Sequence, residues 1–338
     1  MSGSAASDIL VRAGRADIAA RLEPAETVVG AVCESEPLFE AERVVAEKMP
    51  DAILRGVGAA LLACGARRGL LLVRRDWDEA RGSLERAARR TAIGVQTVEP
   101  FFPADELAAL EAGAPQARVI GARELCELDA AVRGRKMARW ITIAGAVAQP
   151  RVVAVARGTR VDQLIDDALI PDWVALDGAL RGRLLDREDT IEAATTGLLV
   201  LPKDHALVRR RRHSLADELA RARSACIECR ICTDACPHAL AGAAVAPHLA
   251  LRSLAHQRGF SQAVACSGCG VCDLVCPAGL HPRGLLLALR AEMPLLEHPA
   301  APHPDRAGRR LAIDLLTLRL GLSAFARPLA TPEAGLRS

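Results

Sequence analysis

Two stretches decide how this chain is read: Cys226-Ile-Glu-Cys229-Arg-Ile-Cys232-Thr-Asp-Ala-Cys236-Pro237 and Cys266-Ser-Gly-Cys269-Gly-Val-Cys272-Asp-Leu-Val-Cys276-Pro277. Two residues between successive cysteines bring three thiolates round one face of an iron–sulfur cube. In two-cluster ferredoxins the fourth cysteine of such a run ligates the other cluster. The spacing predicts two [4Fe–4S] clusters, the first held by Cys226, Cys229, Cys232 and Cys276, the second by Cys266, Cys269, Cys272 and Cys236. Exchange of the fourth ligand would tie both motifs into one unit. Zinc is the alternative, but tetrahedral zinc sites use paired Cys-x-x-Cys knuckles and rarely take a third cysteine two residues on. Gly268 and Gly270 favour clusters, since glycine lets backbone N–H groups approach the sulfurs. Cys33, Cys64 and Cys126 share no ligand spacing and read as buried core thiols.

The 338 residues suffice for two or three compact domains. The 44 basic and 41 acidic residues nearly cancel, and three Trp, five Phe and no Tyr offer little stacking surface, so nucleic acid is not an expected partner. Eleven cysteines behind an N-terminus with Asp8, Arg12, Arg15 and no apolar signal core point to a reducing compartment. No run approaches the roughly eighteen apolar residues of a membrane span; the best, 56–73, is broken by Arg67 and Arg68. The expected setting is cytoplasmic, peripheral to a membrane complex or inside a microcompartment.

Upstream of the cysteines, 27–33 and 69–73 read as buried strands, and 40–64 has helical periodicity closed by Gly65 as a C-cap. Helices over 78–90, 104–111 and 122–132 and a strand over 92–98 continue the alternation, which implies an α/β layer on a mainly parallel sheet. From Arg139 short β-rich runs take over, at 140–147, 151–155, 173–176, 180–185 and 197–201, around one helix at 161–169. Trp140 and Trp173 read as core residues of that small β-grasp-like unit. A basic helix, 207–223, leads into the cysteines; after Pro294 the composition is that of a linker, closed by an amphipathic helix over 309–320.

Once the cluster motifs are placed, Val29-Gly-Ala-Val-Cys33-Glu34-Ser35-Glu36-Pro37 resembles the Glu-Pro segment of the flavoprotein subunit of respiratory complex I. It is also similar to that of the C subunit of the Rnf electron-transport complex and of the cobalamin reductases of propanediol-degrading microcompartments. In that superfamily the segment lies beside the FMN and nicotinamide site. Trp140-Ile-Thr-Ile-Ala-Gly-Ala-Val, Leu176-Asp177-Gly178-Ala179 and Thr196-Gly197-Leu198-Leu199-Val200-Leu201-Pro202 resemble the soluble-ligand-binding β-grasp (SLBB) domain that follows. Arg310-Leu-Ala-Ile resembles the segment after the clusters in the cobalamin reductases. The fold class this implies is multidomain α/β. A complex I flavoprotein-subunit-like α/β domain covers 1–136 and a small β-grasp (SLBB) domain 137–205. An α-helical two-cluster ferredoxin domain covers 206–294, and a linker with a C-terminal helix and tail 295–338.

The departures bear on mechanism. Family members carry a G-G-x-G-F-P-T loop whose amides cradle the flavin phosphate. Here Arg12-Ala-Gly14-Arg15-Ala-Asp-Ile-Ala-Ala-Arg21 stands in its place, which argues against FMN and against direct hydride transfer. Glu34 and Glu36 are the candidate cofactor-binding residues of a vestigial flavin or nicotinamide site; the alternative is that they cap a helix starting near Phe39. Arg209–Arg212 with His213 would either dock an acidic partner or form a solvated connector, and His281, His298 and His303 lack metal-ligand spacing. No catalytic residue is assigned. The expected function is an iron–sulfur electron-transfer subunit of an oxidoreductase complex. Its redox partners would be a flavoprotein, a ferredoxin, a corrinoid enzyme or a membrane electron-transport complex. The alternatives are a self-contained FMN-dependent NADH dehydrogenase or cobalamin reductase, and a scaffold with structural clusters.

Overall fold

The structure is a computed structural model, and it describes residues 11, 16–135, 138–256, 265–291 and 301–330. The apolar run Thr27–Val32 (β1) is flanked on one side by Arg68–Arg74 (β2), with Ile93–Val98 (β3) beyond it, and on the other by Arg118–Gly121 (β4). All pairings are parallel and the order is β3-β2-β1-β4. Parallel neighbours need crossovers: helices Ala41–Lys48 (α1) and Pro50–Cys64 (α2) join β1 to β2, and Asp78–Ala88 (α3) joins β2 to β3. Ala122–Val132 (α4) follows β4 and leads to the next sheet. The chain leaves β1 toward β2 on one side and reaches β4 on the other, so a crevice opens between the carboxyl ends of β1 and β4.

A mixed five-stranded sheet follows. Arg139–Gly145 (β5), Arg151–Val155 (β6), Trp173–Leu176 (β7), Leu184–Leu185 (β8) and Gly197–Pro202 (β9) are arranged β6-β5-β9-β7-β8, with β5 and β9 parallel and the other pairs antiparallel. Trp173 is buried in its core, while Trp140 is partly buried against the α/β layer. Short helices then carry the cysteines: Ala206–Arg211 (α5), Leu215–Ala225 (α6), Ile231–Asp234 (α7), Pro247–His256 (α8), Val271–Val275 (α9) and Pro282–Ala291 (α10). Among the described residues no helix is long and apolar enough to cross a membrane.

Several expected elements are divided or shortened, each for a local reason. The helix expected over 40–64 is two helices, because Pro50 starts the second at its first turn, where its missing N–H costs nothing. The helix expected over 207–223 is cut at Ser214, whose Oγ accepts the N–H of Asp217 at 3.1 Å and opens α6. Over 161–169 only the single turn Val161–Gln163 is helical, since Asp167 instead accepts from Gln149 N and Arg151. The strand expected from Leu180 begins at Leu184, the Leu180 and Arg181 amides being drawn to Glu36.

The linker expected after 294 meets a different arrangement in its described part. His303 N donates to Leu240 O, Leu311–Ala312 pairs antiparallel with Phe101–Phe102, and Ile313–Arg319 (α11) buries Leu316. That strand pairing explains why the terminal helix starts at Ile313 and not at 309.

Candidate iron–sulfur centre and the adjoining crevice

Helix α6 runs straight into the first motif, with Cys226 as its C-cap. Between Cys226 and Cys232 the chain turns through two left-handed residues, Glu228 (φ 52°) and Arg230 (φ 66°). The second motif takes the same path with Gly268 (φ 81°) and Gly270 (φ 85°). A left-handed conformation costs a residue with a Cβ about 1–2 kcal/mol. The first motif tolerates it because its side chains point to solvent, Glu228 48% and Arg230 63% exposed. The second motif packs inward: a Cβ on Gly270 would lie 2.9 Å from Leu180 O, and one on Gly268 3.1 Å from the Leu287 side chain.

Cysteines from the two motifs interleave. One pocket is lined by Cys226, Cys229, Cys232 and Cys276, the other by Cys236, Cys266, Cys269 and Cys272. Each pocket gathers three thiols from one motif and the fourth from the other. They differ in depth. All four cysteines of the second are buried, whereas Cys229 is exposed, Cys226 and Cys276 are half-buried, and neighbouring Ile227 is 71% exposed.

The donor set fits an iron–sulfur cluster. Burial, reinforced by the neighbouring thiols, pushes Cys232 up to about 12; burial likewise raises Cys236 to about 11 and Cys269 and Cys272 higher still. Four soft sulfur donors converging on one pocket suit iron–sulfur ligation, and loading must expel their protons. Nearby backbone N–H groups offset part of that rise: those of His238 and Ala239 at Cys236, Gly268 at Cys266 and Val271 at Cys269. Cys33, Cys64 and Cys126 are buried in the α/β layer, away from both pockets.

A cavity of about 750 Å³ occupies the crevice at the ends of β1 and β4, lined in part by Ala31, Glu42, Asp105, Glu106, Gly121 and Arg123. Glu42 accepts the N–H groups of Cys33 and Glu34 at 3.2 and 3.0 Å. Burial, with Glu34 adding to it, pushes Glu42 up to about 8. Glu34 is raised as well, mainly by burial; it pairs with Arg123 at 3.2 Å, and its Oε2 has no partner. Glu36 accepts from Leu180 N, Arg181 N and Arg181 Nε, so it anchors the second sheet to the first and does not cap a helix. Glu106 joins crevice to cluster region. It lines the cavity and lies 2.6 Å from Nε2 of His238, which lines the second pocket. Burial opposes its charge, but the His238 hydrogen bond and the Arg181 guanidinium prevail and hold Glu106 at about 2.

Sequence reasoning missed Glu42, Asp105, Glu106, Arg123, Arg181 and His238, which stand singly among ordinary helix and loop charges. Of the basic run, Arg211 is neither a docking residue nor solvated. It turns inward onto the carbonyls of Gly182, Ala179 and Leu180, and burial, with Arg283 nearby, lowers it to about 10. His281 is buried beside His213 and Glu218; His303 is half-buried; His298 lies outside the described residues.

A family model described as a 4Fe-4S dicluster domain matches residues 225–281. Two cobalamin reductases PduS are similar over most of the chain. That of Citrobacter freundii is 30% identical over 329 residues, 88% of this chain and 73% of the relative. That of Salmonella typhimurium is 30% identical over 323 residues, 86% of this chain and 71% of the relative. Among solved structures, an NAD+-reducing [NiFe]-hydrogenase in the H2-reduced state is similar with a TM-score of 0.51 at 17% identity, over 87% of this chain and 63% of that one. The air-oxidized state gives 0.50 at 18%, over 93% and 64%. The chain thus spans less than two thirds of those hydrogenase chains, and the likeness is one of fold.

Proposed function

The chain belongs to the family of the cobalamin reductase PduS, and we propose that it is the iron–sulfur electron-transfer subunit of an oxidoreductase complex. It would take single electrons from a flavoprotein or ferredoxin and hand them to a flavin, a corrinoid protein or a membrane complex of the Rnf kind. The observation that carries this is the gathering of four cysteines in each of two pockets. Cys226, Cys229, Cys232 and Cys276 would hold one cluster; Cys266, Cys269, Cys272 and Cys236 the other. When bound, such clusters supply one-electron carriers. The chain's own part is to ligate them, to exclude water from the second pocket, and to aim backbone N–H groups at sulfur, which sets potentials. The shallow first pocket, with Ile227 and Cys229 at its rim, is the side a partner protein reaches. The second lies on the crevice side, behind the Glu106–His238 contact.

The four-part division 1–136, 137–205, 206–294 and 295–338, with the mixed sheet read as an SLBB-like β-grasp unit, belongs to the same proposal. So do Glu34 and Glu36 as remnants of a cofactor site. FMN fits the crevice poorly. Its arginines already face carboxylates: Arg21 with Glu124, Arg118 with Glu23, Arg123 with Glu34, Arg139 with Glu127. A flavin phosphate would have to compete with these carboxylates for its counter-charge. The expectation of a degenerate flavin loop falls partly on 12–15, outside those residues.

The test is anaerobic purification with iron, sulfide and flavin assayed together, followed by NADH addition under EPR. About eight irons per chain, no flavin and clusters that NADH leaves oxidised support a relay dependent on partners. Stoichiometric FMN with NADH-reducible clusters would replace it by the dehydrogenase. In the same assay, Cys276→Ala should remove the signal of the first cluster and spare the second; loss of the second instead would refute the exchanged ligands.

A further inference from the structure

Cys226 and Cys276 come from different motifs, yet they line one pocket. We infer that Glu218 and Arg221 of α6 are positioning residues that clamp the loop after Cys276 against the end of α6, and so set the fourth ligand of the first cluster. The inference rests on the ligand assignment proposed above.

Glu218 is 5% exposed, and its Oε2 accepts the N–H of His281 at 3.2 Å. Arg221 donates through Nη2 to Gly279 O at 2.9 Å. Residues three apart on a helix share a face. That face of α6 meets the turn that follows Cys276, which is shaped by Gly279 (φ 61°) and its N–H bond to Cys276 O at 3.1 Å. Since α6 ends at Cys226, the rigid element that presents one ligand also grips the loop that presents another.

His213 completes the network. Its Nδ1 lies 2.6 Å from Glu218 Oε1 and 2.9 Å from Arg221 Nη1, and Arg221 Nη1 lies 3.4 Å from Glu218 Oε1. His213, Glu218 and His281 also offer donor atoms within 4.8 Å of one another, close enough to share a cation. Arg221 decides between the two readings. Its guanidinium already stands among these atoms, so the positive charge a metal would bring comes from the chain itself, and an added cation would meet a like charge. The second pocket has its own supports: Arg283 N donates to Asp273 Oδ1 at 2.8 Å, and Arg283 Nε to Gly268 O at 2.7 Å. Neither involves α6, so the second cluster serves as an internal control.

The experiment loads the full chain anaerobically and measures iron, sulfide and the EPR spectrum after dithionite reduction. Glu218→Ala should lower iron from about eight to about four per chain and erase one cluster signal while the other keeps its g-values. Glu218→Gln keeps an oxygen for the His281 N–H and should retain both clusters. Arg221→Lys, a milder change on a 39% exposed side chain, should speed chelator-driven loss of the first cluster about tenfold and leave the second unchanged. Both clusters intact in Glu218→Ala, both lost together, or Gln as damaging as Ala would each overturn the clamp. A wild-type chain that holds no four-iron cluster would instead overturn the ligand assignment beneath it.

Discussion

At the scale of single residues, the same backbone path is built twice with different side chains, and the surroundings say why. Gly270 cannot carry a Cβ without crowding Leu180 O, while Arg230 in the equivalent left-handed position projects into solvent. Gly270→Ala should therefore cost about 2 kcal/mol or more and weaken the second cluster, whereas Arg230→Ala should stay within about 0.5 kcal/mol. Thermal unfolding of the anaerobic protein checks both. The glycines were legible in the motif; that they answer to packing against Leu180 and Leu287 was not. Glu42 supplies a second residue-scale prediction. Its folded pKa is about 8 against an ordinary 4.5, so the folded state keeps a proton that the unfolded chain releases. The stabilisation is whole below about 4.5 and is lost as pH rises through about 8. Urea midpoints should fall between pH 5 and 8, and Glu42→Gln should flatten that slope; an unchanged slope would sink the assignment. Nothing around Glu42 in the sequence marks it, because its burial arises from Cys33 and Glu34 turning back over α1.

At the scale of elements, the sequence pattern found the strands at 27–33, 69–73 and 151–155 and the helix at 122–132 almost to the residue. The first two strands are short apolar runs buried on both faces of a parallel sheet, and the helix buries one apolar face. It failed where polar groups compete for backbone. Ser214 starts a new helix, Asp167 unwinds one, and Glu36 takes two amides out of a strand. The C-terminal element shows the largest difference. The amphipathic helix expected over 309–320 starts at Ile313, and what its apolar face meets was not legible: Leu316, Leu320 and Leu322 share a core with Phe39, Phe102, Leu180 and Val271. Leu316→Ala should accordingly destabilise the protein by about 2–5 kcal/mol, as a buried leucine does, and not by the few tenths expected of a surface tail. A urea titration distinguishes the two.

At the scale of the whole molecule, that core joins the parallel sheet layer, the mixed sheet, α5, the second cysteine motif and α11. The parts follow one another in sequence but do not fold as beads. The second pocket is buried among them while the first faces outward, so oxygen or a chelator should remove the first cluster well before the second, with iron pausing near half its starting content. Simultaneous loss would contradict that difference in depth. What the sequence determined by itself is whatever depends on short spacing: the two four-cysteine runs, the α/β alternation, and the absence of long apolar stretches. What only the tertiary structure decided is which distant groups meet. Glu36 at Arg181, Glu106 at His238 and Glu218 at His281 are each ordinary charges in their own segments. They take on meaning through burial, because desolvation makes a charge costly until a specific partner arrives, and no local spacing encodes where that partner will be.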